Sequence, residues 1–290
     1  MGKNKPYLLT GGIGELIEQR HGLSFGVETH CELENIGANY AIELGGVLNG
    51  YIDDGVVWNV KYVPGKQIDN SLREMVLSSG RSNPLLSFDD VCCVDLADAS
   101  YSVTRVMDPN ALERGTMLGP RFGKDSLEDQ TKLIKEKYGN KIDVIDIGVF
   151  EGETLVGELE KRFMPQGIQI ENVYVAFAGP GARENLAKYG TALHSCWDYD
   201  WAEWLEIRDC IGLDGRKIIM ETPEDHINSF IPYTVDPENW ASIPPKYVDK
   251  FRELYSDTFG KIRDVLGSAG HNASLEKSQK FKNVLNLKIT

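Results

Sequence analysis

Cysteine is scarce in this chain and badly spaced for structural chemistry. The five are Cys31, Cys92, Cys93, Cys196 and Cys210. The count is odd and no two stand in Cys-x-x-Cys spacing, so neither a disulfide framework nor a structural zinc site is expected. The adjacent Cys92 and Cys93 sit in an apolar run and read as buried thiols. Long apolar runs are missing too. No stretch approaches the ~18 residues of a membrane span, and the opening MGKNKPYLLTGG lacks the apolar core of a secretion signal. Gly2 is followed at the sixth position by Pro6 rather than Ser or Thr, which excludes a myristoylation signal. A soluble, cytoplasmic protein in a reducing compartment, with no membrane partner, is the expectation. Positive charge is in deficit: Lys+Arg 31 against Asp+Glu 44 gives a net charge of −13. With no basic run to offset it, such a surface repels phosphate backbones, so nucleic acid is not an expected partner. Repeats and low-complexity tracts are absent.

What is present is globular. Hydrophobic residues are 41% and charged residues 26% of 290 residues, and at roughly 150 residues per domain the length allows about two domains. The patterning divides the chain into an N-terminal α+β portion (1–84), an α/β core (85–197) and a hood with a helical C-terminal extension (198–290). In the first portion, Tyr7–Thr10 reads as a short strand running into Gly11-Gly12-Ile13-Gly14. Helical spacing follows over Glu32–Leu48, a strand over Val56–Val63 that stops at Pro64-Gly65, and a helix over Ser71–Leu77.

The core is better punctuated. DVCCVDL (Asp90–Leu96) reads as a buried strand and Tyr101–Met107 as a second. Asp108–Lys124 holds Pro109, Gly115, Gly119, Pro120 and Gly123, the composition of a long mobile loop, and such loops in compact domains usually serve function. Asp125-Ser126 caps a polar helix to about Tyr138. Strands over Lys141–Ile147, Ile168–Phe177 and Thr191–Ser195 alternate with helices over Thr154–Phe163 and Ala182–Tyr189. That alternation predicts a mainly parallel, five-stranded sheet with covered faces. After Asp198 the strand pattern fades, and WDYDWAEW and a helix over Pro245–Leu266 dominate.

The segment richest in chemistry is VIDIGVFEGETL, Val144–Leu155. An apolar strand delivers Asp146 to its carboxyl end, Gly152 permits a tight turn, and Thr154 opens a helix. In open α/β sheets ligands sit outside the carboxyl ends of strands. Helix-start N–H groups bind phosphate there, and a threonine hydroxyl adds a donor. A strand-end acid can hold sugar hydroxyls or a metal. The pocket these features describe is one for a phosphorylated sugar.

The segment resembles the phosphoribosyl-pyrophosphate loop of type I phosphoribosyltransferases: an apolar run, two acids, a few variable residues, then Thr-Gly-x-Thr. Asp146 matches the first acid, Gly152 the glycine and Thr154 the threonine. Ile147 replaces the second acid and Glu151 stands where Thr or Ser is usual. The next stretch, VYVAFAGPGARENLAKYGTALHS (Val173–Ser195), is similar to the strand, helix and second strand that follow the loop in orotate-type members. The resemblance covers about Lys141–Ser195. It implies a phosphoribosyltransferase-type sheet, phosphoribosyl pyrophosphate as substrate, a nitrogenous base or related acceptor, and Mg²⁺ as cofactor. It assigns the substrate cradle to Asp146, Glu151, Gly152, Glu153, Thr154 and Leu155, and the metal contact to Asp146. Arg121 and Lys124, in the loop rich in Gly and Pro, become the cations that meet the pyrophosphate with Asp146 at the catalytic centre; Arg105 and Arg114 are further choices. The activity implied is transfer of ribose-5-phosphate to or from a nitrogen acceptor.

Two alternatives stay open. The same letters look like the Asp-x-Gly-x-x-x-Gly turn of S-adenosylmethionine methyltransferases, although the acid expected at the end of the next strand is Ala178 here. A non-catalytic phosphoribosyltransferase-fold effector, working with protein partners or as a homodimer, is the other. Around the core, Trp197, Tyr199, Trp201 and Trp204 could stack on a base or simply pack in a helix, with Trp201 and Trp204 at i, i+3. Asp209 and Asp214 could read a base edge. His194 reads as a packed rather than a catalytic residue, and neither a Ser–His–Asp nor a Cys–His arrangement is supported.

Overall fold

A computed structural model describes residues 4–14, 17–18, 24, 26–53, 56–88, 93–107, 116–121, 124–200, 203–207, 216–218, 230–231, 237–240 and 242–270. Along the chain run β1 (Asn4–Thr10), α1 (Val27–Leu48), β2 (Ile52–Asp53), β3 (Val56–Val63), α2 (Gly65–Ser78), β4 (Leu85–Ser87), β5 (Ala99–Ser100), β6 (Val103–Met107), β7 (Thr116–Pro120) and α3 (Leu127–Tyr138). β8 (Lys141–Val149) and α4 (Glu153–Glu158) follow, then a π-helical turn (Leu159–Phe163), β9 (Gln169–Ala178), α5 (Pro180–Ala187), β10 (Ala192–Asp198), β11 (Glu203–Glu206), β12 (Arg216–Ile218), β13 (Phe230–Ile231) and α6 (Val248–Ser268). The chain divides into two compact units: Met1–Pro64, Val106–Gly115 and Glu203–Thr290 form the first, Gly65–Arg105 and Thr116–Ala202 the second. Among the described residues no helix is long and apolar enough to cross a membrane.

The first unit is a small α/β layer. β1 lies between β3 and β11, parallel to both, with Tyr7 opposite Val60 on one side and Glu203 on the other. A strand paired on both edges and covered on its faces must be apolar, and Tyr7, Leu8 and Leu9 are fully buried. The Tyr7 ring stacks on Trp58 at 5.1 Å. α1 buries Leu33, Tyr40, Ala41, Leu44 and Leu48, one stripe at helical spacing, and this stripe joins Phe251, Leu254 and Ile262 of α6 in one core.

The second unit is an α/β domain with a five-stranded sheet in the order β10-β9-β8-β4-β5, every neighbouring pair parallel. Its central strands read as continuous apolar runs because both faces are covered; Val173 to Ala178 are all buried. The start of α3 follows the capping rule: the Ser126 hydroxyl accepts the Asp129 N–H at 3.1 Å.

Four sequence expectations need correction. The first strand of this sheet is Leu85–Ser87, not Asp90–Leu96. At Cys93 the backbone turns to φ 50° and its N–H donates to Asp69 Oδ1 at 3.0 Å, which breaks any extended run; residues 89–92 lie outside the described residues. The strand expected over Tyr101–Met107 is present as β6 but opens only at Val103, whose N–H turns back to the Tyr101 carbonyl at 3.0 Å, and it pairs outside the five-stranded sheet. Asp108–Lys124 is not loop throughout, since Thr116–Pro120 forms β7 beside β6; 108–115 and 122–123 lie outside the described residues. The C-terminal portion is not purely helical: it supplies β11, β12 and β13 as well as α6. The Trp spacing read as helix belongs in part to β11, whose Leu205 is buried while Trp204 donates its indole N–H to Thr10 Oγ1 at 3.2 Å.

Candidate functional site at the carboxyl edge of the sheet

Strand order reverses at β4. Its successor β5 pairs on one side and β8 on the other. Connections leaving such a pair run to opposite faces and open a crevice outside the carboxyl ends, where α/β sheets bind ligands. β8 runs on to Val149, so Asp146 is not at the end of its own strand as expected; half-buried and paired with Val175 of β9, it lies one residue beyond the last pair of β8 with β4, while the alternation of the strand turns Ile147 into the core at 4% exposure. Asp146 Oδ1 accepts the N–H of Ile147 at 2.8 Å, so the carboxylate supports its own strand.

The turn that follows has two geometric requirements. Gly152, the N-cap of α4, has φ 80° and ψ 3°, the left-handed region. A side chain there costs about 1–2 kcal/mol, so Gly152→Ala is expected to lower stability by that amount in urea denaturation. The second requirement is close approach. The Gly179 N–H donates to the Val149 carbonyl at 3.0 Å, and a Cβ on Gly179 would lie 2.7 Å from Phe150 Cα and O. Only glycine lets the β9–α5 turn lie on the β8–α4 turn. Asn185 of α5 adds a second tie, donating from Nδ2 to the Glu151 carbonyl at 2.9 Å.

Within this frame the cradle residues divide. Glu151 turns its carboxylate to the start of α5, where a Cβ on Gly181 would overlap Oε2; an acid at a helix start is favourable there. Glu153 is exposed, and the Leu155 side chain is buried in the core, so Leu155 can offer a ligand only its backbone. Thr154 is half-buried in the first turn of α4, and its hydroxyl makes no hydrogen bond to another described residue. Arg121 and Lys124 stand at the end of β5, two strands away from β8 on the same edge. The Arg121 N–H donates to the Ser102 carbonyl at 2.9 Å, and Lys124, exposed, borders a cavity of about 270 Å³ with Ser100, Ser102 and Gln130. Arg105 lies in β6; Arg114, Trp201, Asp209 and Asp214 lie outside the described residues. Trp197 stacks on Phe177 at 5.2 Å and Tyr199 tilts against the same ring at 6.2 Å, placing both aromatics at the ends of β9 and β10.

Behind the turn sits a polar cluster that no sequence spacing announces. Tyr101, just past β5, donates its hydroxyl to Glu158, and Arg162 Nη1 donates to the other Glu158 oxygen at 2.6 Å. Glu158 and Tyr101 are fully buried. Burial pushes the Glu158 carboxyl above its ordinary value, against the opposing pull of Tyr101 and Arg162, and keeps the Tyr101 phenol protonated far beyond neutral pH. Glu158 closes α4 where the helix widens into a π-helical turn, a feature often found at functional sites.

No protein-family model and no curated protein matches this chain. Its chemistry therefore rests on the residues themselves. This side of the sheet carries a carboxylate just past the end of β4, a left-handed glycine turn, a threonine hydroxyl and two cations, groups that can hold a phosphorylated, hydroxyl-bearing ligand. Among the described residues no group of three or more His, Cys, Asp or Glu is placed to hold a metal ion. Asp146 is the residue that would hold a Mg²⁺ at this edge, which fits an ion that keeps most of its shell as water and substrate phosphate.

Proposed function

We propose that the second unit is a phosphoribosyltransferase-type domain that binds phosphoribosyl pyrophosphate and transfers ribose-5-phosphate to or from a nitrogen acceptor. The observation that carries this reading is the coincidence of Asp146, Gly152 and Thr154 with the strand next to the reversal of strand order. The 5-phosphate would lie in the Gly152–Leu155 turn, against the Thr154 hydroxyl. Asp146 would receive the ribose hydroxyls. Arg121 and Lys124 would meet the pyrophosphate as its charge develops, the point at which fixed cations lower a barrier most. Mg²⁺, when bound through Asp146 and the substrate phosphates, supplies further neutralisation of the leaving group. Such a reaction is dissociative at the ribose C1 and needs positioning and charge stabilisation rather than a nucleophilic side chain. Ala178, buried at 1% exposure, stands at the end of β9 where a methyltransferase places its ribose-gripping acid.

Thermal shift with phosphoribosyl pyrophosphate, ribose-5-phosphate and S-adenosylmethionine, each with Mg²⁺, tests the reading. A ligand at a hundred times its Kd stabilises the fold by about 2.7 kcal/mol. Stabilisation by S-adenosylmethionine alone would overturn it, and binding of phosphoribosyl pyrophosphate without turnover on any base would move the protein to the effector class. Thr154→Ala is expected to remove about 1.5–3 kcal/mol of phosphosugar affinity, the worth of a hydrogen bond to a charged group, with little change in melting temperature. Unchanged affinity in calorimetry would take Thr154 out of the site.

A further inference from the structure

We propose that the second unit carries another ligand site, at the opposite end of its strands, that binds a small phosphate ester. This proposal does not rest on the phosphoribosyl reading. A cavity of about 620 Å³ lies between the end of α2 with its following loop, the early parts of β9 and β10, and Arg183 of α5. That volume is the usual size for a small-molecule site. None of Asp146, Gly152 and Thr154 lines it.

Its wall holds an oriented imidazole. Asp143, fully buried in β8, accepts at Oδ1 from the Asn172 N–H at 3.1 Å and from Asn172 Nδ2 at 2.9 Å. With that amide nitrogen committed, Asn172 presents Oδ1 to His194 Nε2 at 3.1 Å. An amide oxygen only accepts, so Nε2 carries a proton in both charge states of the ring, and Nδ1 is the nitrogen left for a ligand. Tyr174 stacks on the ring at 5.0 Å and 17° and fixes its plane. The ring is nevertheless exposed. His194 is thus held at two removes by a buried carboxylate, a larger investment than a packed surface histidine requires.

The charges around it favour an anion. Arg183 donates from Nη1 to the Leu193 carbonyl and from Nη2 to Ser195 Oγ at 2.5 Å and to Asp198 at 2.8 Å, and Arg81 donates to the Asn83 carbonyl at 2.8 Å and the Leu96 carbonyl at 3.4 Å, with Asp98 at 3.5 Å. Asp198 and Asp98 are exposed or half-exposed and lie outside the lining, and pairs of that kind are weak enough to yield to a bound dianion. The acid in the lining, Glu171, is held by Lys141 and by Asn83, and Lys141 pulls its carboxyl below the ordinary value. The cavity wall therefore presents two guanidiniums and an imidazole against one neutralised carboxylate, on a chain of net charge −13. Planar guanidinium forks match phosphate geometry, and a dianion rewards several cations more than a carboxylate does.

The test is a titration of the full chain with inorganic phosphate, at constant ionic strength and near-neutral pH, read on the His194 imidazole by NMR with labelled histidine. Acetate is the second arm. Phosphate is expected to shift the His194 signals saturably, and acetate to do so at least about tenfold more weakly. Arg183→Gln should weaken the phosphate midpoint by about tenfold. Arg183→Lys, which keeps the charge and packing but loses the fork, should give an intermediate midpoint. Asp146→Asn should leave it unchanged, which separates this site from the other edge of the sheet. His194 signals that do not move, equal midpoints for the two anions, or indifference to both Arg183 variants would each overturn the proposal.

Discussion

Replacing Glu158 by alanine is expected to destabilise the second unit by about 3–5 kcal/mol, the usual result of removing one partner from a buried ionic pair. The loss has two sources. The Tyr101 hydroxyl, fully buried, loses its acceptor, and Arg162, 16% exposed, keeps only Glu128 at 3.1 Å. Urea denaturation of the variant measures it, and a loss below about 1 kcal/mol, the ceiling for solvated pairs, would show that water reaches the cluster. The pH dependence has a definite sign. The folded Glu158 carboxyl titrates above its ordinary value of 4.5 because burial disfavours the charged form. Its proton-linked stabilisation is complete below that ordinary value and is lost as pH rises through the folded value. Glu158→Gln, which keeps a neutral acceptor of the same shape, should therefore gain on the natural protein between acid and neutral pH. A difference between the two proteins that stays flat over that range would contradict an upward displacement of the Glu158 carboxyl.

The second large effect is expected at Asp146. Asp146→Asn keeps the oxygen that accepts the Ile147 N–H, so the strand should survive with stability changed by less than about 1 kcal/mol. The charge is gone, and with it the ribose or metal contact. Because the neighbouring Ile147 faces the core, no adjacent carboxylate shares the task. The expected cost is about 2–4 kcal/mol of transition-state stabilisation, comparable to removing one preorganised electrostatic group. Rate and melting temperature on the same variant decide between a ligand contact and a purely local one: full phosphosugar affinity with lowered stability would sink the assignment of this edge.

Much of the second unit is legible in the sequence because its central strands and capped helix are strong local patterns. KIDVIDI and IQIENVYVAF are long apolar runs, and Ser126 caps α3 three residues before Asp129. Short elements escape. β4 has three residues after Pro84, fewer than any periodicity needs, so the neighbouring DVCCVDL attracted the assignment. β11 is hidden by Trp201 and Trp204, whose spacing mimics a helix face. The turn from Asp146 to Thr154 is local and could be read as a unit. The Tyr101–Glu158 contact and the Asp143–Asn172–His194 chain join residues far apart in sequence; the packing of α4 against the sheet makes the first and the register of β8, β9 and β10 the second.

The pairing of β1 with both β3 and β11 has a consequence for synthesis. Tyr7 meets Val60 soon after both emerge from the ribosome, but Glu203, its neighbour on the other side, arrives only after the whole second unit has been made. Through that interval one edge of an apolar strand has no partner, and such edges invite association with other chains. The second unit, whose sheet is built from consecutive segments, can close first, while the first unit must wait for its last strand. A nascent chain arrested before Glu203 should accordingly need a chaperone where the complete chain does not.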